Sequence, residues 1–184
     1  MGDTGRTLIQ SITAEYGRYQ ALADKALEQV PESLLSAAGP ANGNSLAVIC
    51  WHLSGNLASR FTDFLTSDGE KPWRAREEEF AVRTVSREEL DAKWGIGWAV
   101  LFDTLAQLDD SHLTHTVHIR SQALAVHEAL FRSLAHVSYH VGQIVYLAHA
   151  LCADEWTYLS IPPGQSAAYN ANPTKEKPPT RASS

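Results

Sequence analysis

Apolar residues recur every three to four positions along four stretches of the chain, the spacing that turns one face of an α-helix toward a core. The first stretch runs from about Thr4 to Val30, with Leu8, Ile12, Tyr16, Tyr19, Ala23, Ala26 and Val30 on one stripe and Pro31 to end it. The second follows "GPANGNS", where Asn44 or Ser45 can cap, and extends to about Thr66 through Leu46, Ile49, Leu53, Leu57, Phe61 and Phe64. The third opens at Ser86, because "SREE" is a capping box in which Glu89 reaches back to the Ser86 amide. It continues through Leu90, Trp94, Leu101 and Leu105 to about Leu108, weakened by Gly95 and Gly97. The fourth begins near Ala125 and reaches Leu151 through Val126, Leu130, Leu134, Val137, Val141, Ile144 and Ala148.

The connections decide how four helices can be arranged. "SDGEKPWRAREEEFAVRTV", between the second and third, is far longer than a tight helix hairpin needs. Such a segment can run back along a helix, so the pattern predicts an all-α four-helix bundle with a long crossover between helices 2 and 3. "LTHTVHI" alternates and is rich in β-branched residues, which predicts a short extended piece before the fourth helix. The bundle is expected to occupy residues 1–169. From Asn170 the polar, proline-rich "NANPTKEKPPTRASS" predicts a C-terminal tail that is disordered at its end.

Composition narrows the partners. Apolar residues make up 44% of the 184 positions and charged ones 20%, ordinary for a soluble domain long enough to bury a core without disulfides. A formal net charge of -6 argues against nucleic acid, whose phosphates need clustered Lys and Arg. No apolar run is long enough to cross a bilayer, and "MGDTGRTLIQ" lacks a signal-peptide core, so a cytoplasmic protein with no membrane partner is expected. Cys50 and Cys152 stand apart in apolar helical stretches, which suits buried free thiols rather than a disulfide.

Candidate chemistry lies in the histidines. In "HVSYHVGQIVYL", His136 and His140 sit side by side on one edge of the fourth helix's stripe, continuing to Gln143, and two imidazoles at i and i+4 can reach one ion. In "WHLSGN", His52 stands one residue before stripe residue Leu53, as His136 stands before Val137. It therefore occupies the corresponding edge of the second helix, with Asn56, Ser59 and Asp63 along the same line. Spacing leaves two readings open: scattered boundary histidines, or three imidazoles meeting at one ion with a position left for water or substrate, as in catalytic zinc sites. His112, His115 and His118 recur every third residue, but alternation in an extended stretch sends His115 and His118 to opposite faces. With His127 and His149 on the other flank of the fourth helix, all five read as surface or loop residues.

These features together resemble the DinB/YfiT-like metalloprotein superfamily. "ICWHLSGNLASRFTDFLTSDGEKPWRAREEEF", "LAHVSYHVGQIVYLA" and "WTYLSIPPGQS" are similar to an uncharacterised subgroup of DinB-like bacterial proteins, from about Leu8 to Asn170. The resemblance implies a metal triad of His52, His136 and His140, holding zinc or nickel, and a homodimer formed through bundle faces. It also implies transfer of a low-molecular-weight thiol such as bacillithiol, mycothiol or glutathione to an electrophilic substrate. It assigns no role to "IPPGQS", which reads as a turn packing the C-terminal segment on the bundle.

Two function classes follow. One is a metal-dependent thiol S-transferase: three neutral imidazoles leave a divalent ion its full charge, and coordination deprotonates a thiol whose free pKa is about 8.5. The other is a non-catalytic metal-binding or structural module. The polar set Asn56, Gln143 and Asp63 along the histidine edges favours the enzyme as candidate pocket lining. Metal-assisted hydrolysis is a weaker third reading, since it needs a general base and Asp63 lies roughly 16 Å along the helix from His52 at about 1.5 Å per residue.

Overall fold

Thr7 sets where the first helix begins. In the computed structural model, which describes residues 6–153 and 155–173, the Thr7 hydroxyl accepts from Gln10 N at 3.2 Å and the Gln10 side chain accepts from Thr7 N at 3.1 Å. This reciprocal cap starts α1 at Leu8 rather than near Thr4, which lies outside the described residues; α1 ends at Glu28. Asp110, far along the chain, caps the same end by accepting from Leu8 N and Ile9 N.

The remaining elements are α2 (Leu46–Phe61), α3 (Arg76–Glu79), α4 (Arg87–Ala106), β1 (Thr116–Ile119), β2 (Gln122–Ala125), α5 (Val126–Leu151) and α6 (Ser166–Ala171). Ser45 caps α2 by accepting from Val48 N, and Ser86 with Glu89 forms the capping box of α4. α2 stops at Phe61, short of the expected Thr66, because Thr62 turns extended and Asp63 takes a left-handed φ of 49°. Phe64 nonetheless stays buried, its ring 5.2 Å from that of Phe61. α4 likewise ends at Ala106, although Leu108 remains buried.

Bridging contacts fix the helix directions. Ser54 Oγ donates to Lys93 O, and Thr104 Oγ1 donates to Phe61 O, so positions rise together and α2 and α4 run parallel. Tyr16 donates to Leu130 O, and Cys152 Sγ reaches Gln29 O, which makes α1 and α5 parallel as well. Trp94 donates to Asp24, and Arg87 donates to Leu27 O and Val30 O, so α1 and α4 oppose each other. The result is an up-down-down-up bundle whose two middle helices are joined by the long crossover. Gly97 has a positive role in it: a Cβ there would sit 2.6 Å from Ser54 Cα, so the glycine admits the close α2–α4 approach. The core is filled by Tyr16, Phe61, Leu53, Leu57, Trp98, Leu101 and Leu130, among others, all nearly sealed from solvent.

The stretch before α5 differs from the expectation. Asp110–Thr114 form a 3-10 turn, so the extended piece starts only at Thr116 and pairs antiparallel with Gln122–Ala125. Arg120 and Ser121 make the hairpin turn with φ of 53° and 61°, left-handed values that favour glycine. The crossover compensates: Asp68 accepts from Glu70 N at 2.7 Å, Ser121 N at 2.7 Å and Arg120 N at 2.8 Å. Those three N–H groups hold the Asp68 carboxyl down to about 2.

Cys50 is buried, and burial pushes its thiol pKa up, whereas Cys152 caps α5 and is half-buried rather than buried. "IPPGQS" forms a turn closed by Gln165 N to Pro162 O with Gly164 at φ 80°, and the residues that pack on the core are Trp156 and Leu159 before it. α6 continues to Ala171, past the boundary drawn at Asn170; residues 174–184 of the expected tail lie outside the described residues. Among the described residues, no helix is long and apolar enough to cross a membrane.

Candidate metal centre

His52, His136 and His140 meet between α2 and α5. One nitrogen from each lies within 4.8 Å of the other two. His52 Nε2 is 3.3 Å from His136 Nε2, and His140 Nε2 is 3.1 Å from His136 Nε2. Ligands at the Zn–N distance of about 2.0–2.1 Å stand about 3.3 Å apart in a tetrahedron, so two of the three edges already have that length.

The far nitrogens show which tautomers point inward. His52 Nδ1 faces Glu79 Oε2 at 2.9 Å, and His140 Nδ1 faces Gln143 Oε1 at 2.8 Å. Both partners are acceptors, so each Nδ1 carries the hydrogen and each Nε2 turns a lone pair to the centre. His136 cannot satisfy both. Its Nε2 has one hydrogen at most, and if that hydrogen moves to Nδ1 it is stranded, because Nδ1 is buried with no partner. A second proton on the His136 ring is disfavoured too: burial, then the neighbouring His140, His52, Arg74 and Arg60, push its pKa down to about 3. Burial also lowers His140, against the Gln143 hydrogen bond. A cation satisfies all three Nε2 atoms at once.

Glu79 is the residue that sequence reasoning missed. It arrives from α3, on the crossover, and is buried. Arg74 clasps it with two bonds of 2.8 Å, the Arg74 side chain being only 2% exposed. Burial raises the Glu79 carboxyl, but the Arg74 and His52 hydrogen bonds outweigh it and leave the pKa below the usual range. Phe80, the next residue, lies over the His52 ring at 4.5 Å. Gly55 is the sequence signal: a Cβ there would stand 2.3 Å from Glu79 Oε1, which explains a glycine in the middle of α2.

A pocket of about 470 Å³ opens beside the centre, and His52 and His136 form part of its wall. Asn56 lines it, as expected from its place on the His52 edge. Gln143 does not; it holds His140 instead. Asp63 is also absent from the lining, because it is the exposed left-handed residue that ends α2. Phe61, Phe64, Ile119 and Ala129 supply apolar wall, and arginines supply most of the rest.

The other histidines stay apart from this centre. The His112 and His115 rings meet edge-to-face 5.1 Å apart, and His112 Nδ1 pairs with Asp109 at 2.9 Å on the surface. His118 is exposed, His127 donates to Leu113 O, and His149 stacks on Trp156.

An up-down-down-up bundle with three convergent imidazoles defines a small helical protein with a candidate metal centre. The family model described as "Protein of unknown function (DUF1572)" matches residues 3–165, and the chain belongs to that family. Comparison with curated proteins gives no match.

Proposed function

We propose that this protein is a divalent-metal-dependent enzyme that transfers a low-molecular-weight thiol to an electrophilic substrate. The carrying observation is the set of three Nε2 atoms that no arrangement of protons satisfies, beside a pocket large enough for a small molecule. The resemblance to the DinB/YfiT-like superfamily supports the same reading, with zinc or nickel as the ion.

A divalent ion held there supplies the positive charge that favours the thiolate over the thiol at neutral pH. The chain's own groups do the rest. Glu79 and Gln143 keep His52 and His140 in the tautomer that presents Nε2, and Arg74 keeps Glu79 ionised and in place. Phe61, Phe64 and Ile119 limit water on one side of the pocket, and Asn56 offers an amide to a bound molecule.

Thiol transfer is favoured over hydrolysis by the carboxylates. Hydrolysis needs a base able to take a proton, but Glu79 is committed to Arg74 and His52, and Glu77, the only acidic residue on the described pocket wall, pairs with Arg76. A non-catalytic metal module remains the alternative, and hydrolysis the weaker one.

Activity on a test electrophile should require metal and saturate with an added thiol such as bacillithiol. Turnover that is unchanged when thiol is omitted would overturn the transferase in favour of hydrolysis; no metal-dependent turnover across a thiol panel would leave the binding module. A homodimer belongs to the same proposal: α5 turns Phe131, Tyr139 and Tyr146 outward, 48%, 63% and 71% exposed. Light scattering that finds a monomer at micromolar concentration would remove it.

A further inference from the structure

The pocket wall carries a charge opposite to that of the chain. The protein bears a formal net charge of -6 and has 15 Lys and Arg in all. Five of those cations, Arg60, Arg74, Arg76, Arg120 and Arg132, line this one pocket, against one carboxylate, that of Glu77.

The five are not equivalent. Arg74 is committed to Glu79, and Arg60 donates to Gly69 O and Glu70. Both guanidiniums are largely buried, 2% and 13% exposed, and hold the crossover against α2. Arg120 reaches Glu70 from the hairpin turn but is more than half exposed, and Arg76 pairs with Glu77 at the surface. Arg132, on the exposed side of α5, has no carboxylate or hydrogen-bond partner for its guanidinium among the described residues. Counting the four nearby carboxylates, Asp68, Glu70, Glu77 and Glu79, five positive charges face four negative ones, leaving a formal excess of one before any metal binds.

Such an excess around an apolar-backed pocket recruits anions, and guanidinium forks suit carboxylate and phosphate oxygens. Position adds a dimension. Arg132 stands four residues before His136 on α5, one helical turn, or about 6 Å along the axis. We propose that Arg132, assisted by Arg120, binds a carboxylate or phosphate group of the small molecule whose reactive end lies at the histidine centre. The substrate class is thus a small anion whose charged group sits about one helical turn, roughly 6 Å, from its reacting atom. This assignment rests on the reading of the pocket as the substrate site, but it requires neither the ion nor turnover.

The test is calorimetric titration of the metal-free protein with succinate, inorganic phosphate and, as the neutral control, succinamide. At least one of the two dianions should bind with one-to-one stoichiometry, which also tells carboxylate from phosphate, while succinamide should not. Arg132→Gln should weaken that binding about tenfold, the worth of one charge-assisted hydrogen bond, and Arg120→Gln/Arg132→Gln should abolish it. Metal content of both variants, measured separately by elemental analysis, should equal that of the wild type. Binding of neither dianion, or unchanged affinity in Arg132→Gln, overturns the assignment. Anion binding that follows Arg132 in a protein without thiol-dependent turnover would sink the transferase and leave this subsite standing.

Discussion

Two histidine clusters in one chain show what separates a centre from a coincidence. The His112 and His115 rings lie edge-to-face as closely as the triad rings do, 5.1 Å against 4.5–5.3 Å between centroids, and a carboxylate attends each cluster. The difference lies in where the parts come from. Asp109, His112 and His115 belong to one exposed turn, and Asp109 also caps Ser111, so their geometry is local and open to water. His52, His136, His140 and Glu79 come from three helices and are brought together under burial, which removes water as an alternative partner. Density of ligating side chains marks neither cluster; an unsatisfied, desolvated nitrogen set marks one.

Breaking the support of the inner cluster should have the largest effect. Glu79→Gln leaves the buried Arg74 guanidinium with only the longer 3.8 Å contact to Glu70, and loss of one partner of a buried pair costs up to about 3–5 kcal/mol. Thermal unfolding should show a large drop in Tm, with metal affinity reduced about 10–100-fold because His52 loses its orienting partner. Gly55→Ala tests the same contact from the other side. Helix propensity alone gains about 1 kcal/mol, yet the new Cβ displaces Glu79, so metal affinity should fall; a variant that is more stable and binds metal normally would break the link.

Metal removal comes next. A chelator should lower the Tm of the wild type, the stability lost being about 2.7 kcal/mol if the ion was present at 100 times its Kd, and should not move the Tm of His140→Ala.

Acidification of the metal-free protein should expose His136. Its folded pKa, about 3, lies below the ordinary value of 6.5, so the unfolded chain holds the extra proton between them. Stability is therefore complete above pH 6.5 and declines as pH falls toward 3, by at most about 1.4 kcal/mol per pH unit. Glu79, whose pKa is depressed from 4.5, adds loss in the same direction only below that value, so the range from pH 6.5 to 5 reports His136 together with His140, which burial also lowers. His136→Gln should reduce the slope there, and His136→Gln/His140→Gln should flatten it. The smallest effect belongs to the outer cluster: Asp109→Asn, at a solvent-screened exposed pair, should leave Tm nearly unchanged and metal content not changed at all.

How much of this was legible follows from range. The four long helices were legible because their stripes and caps are local: Ser45, Ser86 with Glu89, and the Ala125 boundary all stand where the pattern puts them. The end of α2 was not, since Phe64 keeps the apolar period after the backbone has left the helix at Thr62. β2 was hidden because its turn, Arg120–Ser121, lacks glycine and depends on Asp68 some fifty residues away. His52, His136 and His140 could be placed by periodicity on corresponding edges of their own helices, while their union in one triad was implied only by the family resemblance. Glu79 could not, because one buried glutamate in "REEEF" is indistinguishable from its exposed neighbours until the crossover folds over α2; Gly55 was the trace it left.

The central claim is that the three clustered imidazoles, and not the other five, hold one divalent ion. Elemental analysis of purified protein tests it most directly, comparing the wild type with His52→Ala and with the triple variant His112→Ala, His115→Ala and His118→Ala. The account predicts one ion per chain in the wild type and the triple variant, and none in His52→Ala with helical circular dichroism retained. Full occupancy in a folded His52→Ala protein would contradict it.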